Sequence, residues 1–193
     1  MRTPIYLGIF SALCGCVTAF AQEASTQTVP AQTAVSLPAA SPVFDCYAIN
    51  FAWGFAMSGK FINSDGAIYS YRKTKQSWLA HDITENAIRY ISDADLQAKY
   101  VEREKSGSVD AQTLTGKTAL IDPASKGNVV QMDGGARDAG SSSCHAYVHD
   151  AAKARYRDVD LGSDGGVSDM RTKNDAPQAQ DLLIWLKSIG VAK

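Results

Sequence analysis

In the C-terminal half of the chain, His145 and His149, with Asp138, Asp158, Asp160, Asp164 and Asp169, are the candidate reactive residues. These side chains hold metal ions or move protons. In "SCHAYVHD", Ser143 to Asp150, alternation places His145, Tyr147 and His149 on one face of a strand and Cys144, Ala146 and Val148 on the other. Histidines four residues apart in a strand lie roughly 13 Å apart, at about 3.3 Å per residue, so they share one ion only with help from further ligands. A solvated strand face is the plainer expectation. "DVDLGSDGGVSD", Asp158 to Asp169, offers four carboxylates in a glycine-rich loop. A helix-flanked calcium loop wants Asp or Asn at its fifth position and Gly at its sixth, and this chain has Gly162 and Ser163 there. A polar turn leaving a strand is expected, with Asp158, Asp160, Asp164 and Asp169 as a weak alternative metal set.

A second chemistry is that of the cysteines. Cys144 beside His145 has the residue types of a nucleophile and its base, but the pair works only as a free thiolate. Cys46 is a ready partner in an oxidising compartment, so a Cys46–Cys144 disulfide is expected. "AQTLTGKT", Ala111 to Thr118, has the ending of a phosphate-binding loop. The residues before it, "EREKSGSVD", are polar rather than a buried strand, and the first glycine is replaced by Ala111. A helix surface carrying a glycine fits better, and no cofactor is expected.

These residues need elements to position them. "DCYAINFAWGFAM" alternates large and small: Tyr47, Ile49, Phe51, Trp53 and Phe55 on one face, Ala48, Asn50, Ala52, Gly54 and Ala56 on the other. Met57 to Lys60 reads as a turn, Phe61-Ile62 as a short strand, Asn63 to Gly66 as a hairpin turn, and Ala67 to Tyr71 as the returning strand. The result is a β-meander. Its aromatic stripe is expected to be core, because a large exposed apolar stripe would invite aggregation. Tyr47, Trp53, Tyr69 and Tyr71 remain the residues that would form a ligand platform in the opposite case.

"WLAHDITENAIRYI" is ambiguous between strand and helix. Ser92 to Asp95 resembles a helix-capping box, followed by Leu96 and Tyr100 at helical spacing, with Lys105-Ser106-Gly107 as the stop. Residues 109 to 121 suggest a second helix, broken at Pro123. After the strand at 143–150, "AAKA" turns and "RYRDVDL" returns. The C-terminal segment is clearest: Asn174 to Pro177 starts a helix, Leu182, Leu183, Trp185, Leu186 and Ile189 line its apolar face, and Gly190 ends it. The fold class expected is α+β: an antiparallel meander with hairpins in one sheet, packed by helices that include the last.

The N-terminus indicates location. Arg2, the apolar run from Ile5 to Ala19 and the Ala19-Phe20-Ala21 site read as a secretory signal over residues 1–21, cleaved after Ala21. Lipidation of Cys16 in "LCGC" is the lesser alternative. Residues 22–42, rich in Ala, Ser, Thr, Gln and Pro, read as a flexible leader, and 43–193 as one globular domain. The apolar run is too short for a transmembrane span. Without the signal, which holds only Arg2 among charged residues, 18 basic side chains face 20 acidic ones. That balance gives no global field for nucleic acid or an anionic membrane.

"WGFAMSGKFINSDGAIYSY", "DAGSSSCHAYVHD" and "NDAPQAQDLLIWL" together resemble a group of uncharacterised bacterial exported proteins and lipoproteins. The likeness spans most of residues 46–189 and implies a similar fold; it carries no activity. Cys144 and the acidic loop after Leu161 depart from that pattern. Because no nucleophile, base and orienting acid stand at a recognised spacing, the preferred reading is an exported envelope protein, periplasmic or secreted, that acts as a non-enzymatic binder of an envelope protein or cell-wall component. The alternative is a small secreted hydrolase or metal-dependent enzyme using His145, His149 and the Asp158–Asp169 loop.

Overall fold

The computed structural model describes residues 41–50, 54–73, 83–85, 88–132, 140–165 and 171–192. The signal, most of the leader, Phe51, Trp53, Asp138 and Asp169 lie outside the described residues.

Strands dominate. β1 (Pro42–Asn50), β2 (Ala56–Asn63), β3 (Ala67–Lys73), β4 (Ile83–Glu85), β5 (Ile88–Ser92), β6 (Arg103–Ser108), β7 (Val129–Gln131), β8 (Ser141–Asp150), β9 (Arg155–Gly165) and β10 (Thr172–Asn174) pair antiparallel throughout. They form one sheet in the order β4-β5-β9-β8-β1-β2-β3-β6, with β10 also on β9 and β7 on β10. The helices are α1 (Asp93–Lys99), α2 (Ala111–Thr118), α3 (Ile121–Ala124) and α4 (Pro177–Ser188). The class is α+β, as expected.

Period-2 alternation gives the sheet two different faces. On the α1 face, Met57, Phe61, Tyr71, Tyr147 and Tyr156 pack with Ile91, Leu96 and Tyr100. On the other, Phe44, Ile62, Ala146, Val159 and Leu161 pack beneath Ala179, Leu182, Trp185 and Leu186 of α4, and Phe44 meets Trp185 edge-on at 5.3 Å. Asn174, 1% exposed, ties this layer together. Its Nδ2 donates to the carbonyls of Ala124 (3.0 Å) and Asp160 (2.8 Å), and its Oδ1 accepts from the Ala176 amide at 3.0 Å. The residue expected only to start α4 thus braces three elements, while Ala176 is the N-cap and Pro177 the first helical residue.

Three local expectations are corrected. Met57 to Lys60 is not a turn but part of β2, because its alternation continues that of Phe61 and places Met57 in the core. Gly59 is needed there for close approach: a Cβ would stand 2.8 Å from both the Tyr47 Cβ and the Tyr71 ring. Lys105 to Gly107 does not end a helix. α1 stops at Lys99, and Arg103–Ser108 pairs with β3 as an edge strand. The face of His145 and Tyr147 is not solvated; both are buried beneath the α1 layer. The ambiguous stretch supplies the β4–β5 hairpin within its described part. The Asn63–Gly66 turn forms as read, with Gly66 at φ 83° and its amide on the Asn63 carbonyl at 2.9 Å.

Candidate functional site

On the α1 face, the strands bring charged residues into the core. β1 and β8 place Asp45 opposite His145, and β5 and β9 place Arg89 opposite Asp158. Asp45 is fully buried and accepts from the hydroxyls of Tyr71 (2.9 Å) and Tyr100 (3.0 Å) and from Lys99 Nζ. Lys99 Nζ also lies 4.1 Å from the centre of the Tyr47 ring, a cation–π contact that helps compensate its lost hydration. Beside it runs a second chain. Arg89 bonds Asp158 Oδ2, Asp158 Oδ1 meets His145 Nδ1 at 2.8 Å, and His145 Nε2 faces the Tyr47 hydroxyl at 3.3 Å.

Burial governs the titration of this cluster. It lowers the pKa of Lys99, against the pull of Asp45. It raises those of Tyr47, Tyr71, Tyr100 and Tyr147, helped by the negative charge of Asp45. For Asp158, burial pushes upward, but His145 and Arg89 outweigh it and hold the carboxyl below its ordinary range.

Of the candidate catalytic and metal residues, His145 and Asp158 meet, while His149, Asp160 and Asp164 turn to other partners. His149 Nε2 lies 3.3 Å from Asp93 Oδ1, and its ring rests against Tyr156. Asp160 accepts from the Gly162 amide and the Thr172 hydroxyl, and Asp164 approaches Arg171 at 3.4 Å. No group of three metal-binding side chains occurs among the described residues. Of the tyrosines considered as a platform, Tyr71 is buried on Asp45, Tyr47 lies beneath Lys99, and Tyr69 stacks on Phe61 at 5.2 Å.

The opposite face opens into a groove of about 820 Å³. Its origin is legible row by row across the strands. The row Ile68, Ile62, Phe44, Ala146, Val159 is apolar and buried and holds the helices. One step along comes Ser70, Lys60, Cys46, Cys144, Gly162; one further, Arg72, Ser58, Ala48, Ser142, Asp164. These small and polar side chains give a helix little to bury, so the sheet extends past its cover and forms a floor. Gln180, Leu183 and Lys187 of α4 form one wall. Gly190, at φ 68°, turns the chain over the groove, and its carbonyl accepts from Lys60 Nζ at 2.8 Å.

The disulfide lies in that floor. Cys46 and Cys144 face each other across β1 and β8 with their Cα atoms 4.1 Å apart, and are bonded as the sequence led us to expect. The bond crosslinks the floor at its centre.

The sequence reading missed both constellations. Asp45 alternates with Cys46 onto the aromatic face, and Lys99 follows Leu96 by three residues on the buried side of α1; those spacings were the available signals. For the groove, the signal was the shift from large to small side chains along one face of each strand. Comparison with family models, curated proteins and solved structures finds no match for this chain.

Proposed function

We propose that this is an exported envelope protein that acts as a non-enzymatic binding protein, taking its ligand in the groove between the disulfide-bearing sheet face and α4. The observation that carries this reading is the groove itself. Its volume falls within the range of about 300–1,000 Å³ common for ligand sites, and it has a rigid floor, apolar patches and several polar groups. The disulfide supports folding in an oxidising compartment. No helix among the described residues is long and apolar enough to cross a membrane, which is compatible with a secreted or periplasmic protein.

A hydrolase reading would rest on the His145–Asp158 pair, the arrangement in which an acid orients a base. That pair is buried on the other face of the sheet from the groove, and the second nitrogen of His145 is engaged by Tyr47.

Site-specific photo-crosslinking in the exporting cell tests the binding reading. A photoreactive residue at Ser58 or Ser142 should give a defined adduct that Ala48→Trp or, for the Ser142 probe, Ser58→Trp abolishes while the melting curve is retained. A photoreactive residue at Thr84, outside the groove, should give none. Adducts of equal yield at Thr84, or adducts that survive both tryptophan variants, would refute it.

A further inference from the structure

We infer that the groove's ligand is an extended acidic peptide of a partner protein; the inference rests on the binding reading above. The first observation is charge. The chain as a whole carries a net charge of −1, yet the groove is lined by five basic side chains, Lys60, Arg72, Arg171, Lys173 and Lys187, against the three acids Glu102, Glu104 and Asp164. A groove with low-dielectric walls focuses such a local excess on a ligand of opposite sign. Arg72, Lys173 and Lys187 form no ion pair among the described residues.

The second observation is spacing. Lys60 on β2 and Lys173 on β10 occupy one row across the sheet, through Cys46, Cys144 and Gly162. Four inter-strand steps separate them, about 19 Å at ~4.8 Å per step. One phosphate or one small carboxylate cannot meet cations spread over that length. An extended peptide covers it in about six residues at ~3.3 Å each, presenting carboxylates at intervals. The hydroxyls of Ser58, Ser70 and Ser142 on the floor suit a ligand with amide groups between its charges, and Ala48, the disulfide and Leu183 accept its aliphatic stems.

Fluorescence anisotropy with labelled hexaglutamate and the purified protein tests this. Hexaglutamate should bind with an affinity that falls as salt rises. Hexaglutamine and hexalysine should bind at least about tenfold more weakly, as should the Lys173→Glu/Lys187→Glu double variant for hexaglutamate. These two lysines are exposed, so the variant should fold. Equal binding of hexaglutamine, an unchanged affinity in the double variant, or tighter binding of an oligothymidylate would overturn the acidic-peptide assignment. If Ala48→Trp abolishes the photo-adduct while hexaglutamate fails to bind the wild type, this inference alone falls. If the adduct survives both tryptophan variants, the groove reading falls with it.

Discussion

Lys99 Nζ and the Asp45 carboxylate form an ion pair with both side chains at or below 2% exposure, beneath α1 and against the β1 strand. Tyr71 and Tyr100 donate to the same carboxylate, so the charge is held by several partners rather than one. A buried pair costs desolvation on both sides, and its loss from one side leaves a charge without compensation. Lys99→Met and Asp45→Asn should each lower stability by about 3–5 kcal/mol, measured as urea midpoints. The double variant should cost less than the sum of the two. Additive losses would show that the pair is not coupled.

The acid limb of stability should report Asp158. Its folded pKa lies below the unfolded value of about 3.9, so its contribution is present above that pH and is lost as pH falls through the folded value. Asp158→Asn should flatten the stability profile below about pH 4 while lowering the plateau at neutral pH. A parallel downward shift, with the same acid slope, would contradict this assignment.

The alkaline limb belongs to the buried phenols. Tyr71, Tyr100 and Tyr147 have folded pKa values well above 10, so their contribution is complete below pH 10 and declines as pH climbs past it. Tyrosinate absorbance should rise in two stages, with these three ionising together with unfolding. A single smooth titration that precedes unfolding would count against their burial.

Trp185 is 8% exposed, edge-on to Phe44, with Lys117 Nζ 5.6 Å above its ring. Trp185→Ala should cost about 3–5 kcal/mol through lost burial and a residual cavity. Reducing the disulfide should cost up to about 4–5 kcal/mol by the loop-entropy argument for its 98-residue separation. An unchanged denaturant midpoint in either case would refute the corresponding role.

The sheet was legible in the sequence because alternation and turn chemistry are local. The Asn63–Gly66 hairpin, the Cys46–Cys144 pairing, the two faces of β8 and the Pro177–Gly190 frame of α4 all follow from residue types a few positions apart or from cysteine count. What was not legible depends on register between distant strands. Arg89 meets Asp158 only because β5 pairs β9, 69 residues later, and Asp45 meets His145 only because β1 pairs β8. The groove is hidden for the same reason: Ser58, Ser70 and Ser142 are unremarkable until β8, β1, β2 and β3 gather them on one floor where helix cover stops.

The most direct test is a heteronuclear NMR titration of the protein with hexaglutamate. The account predicts that amide resonances of Ser58, Lys60, Ser70, Ser142 and Gly190 shift in a saturable manner, while those of α1 and of the β4–β5 hairpin stay in place. Shifts centred on His145, Lys99 and Tyr100, or none at saturating peptide, would contradict it.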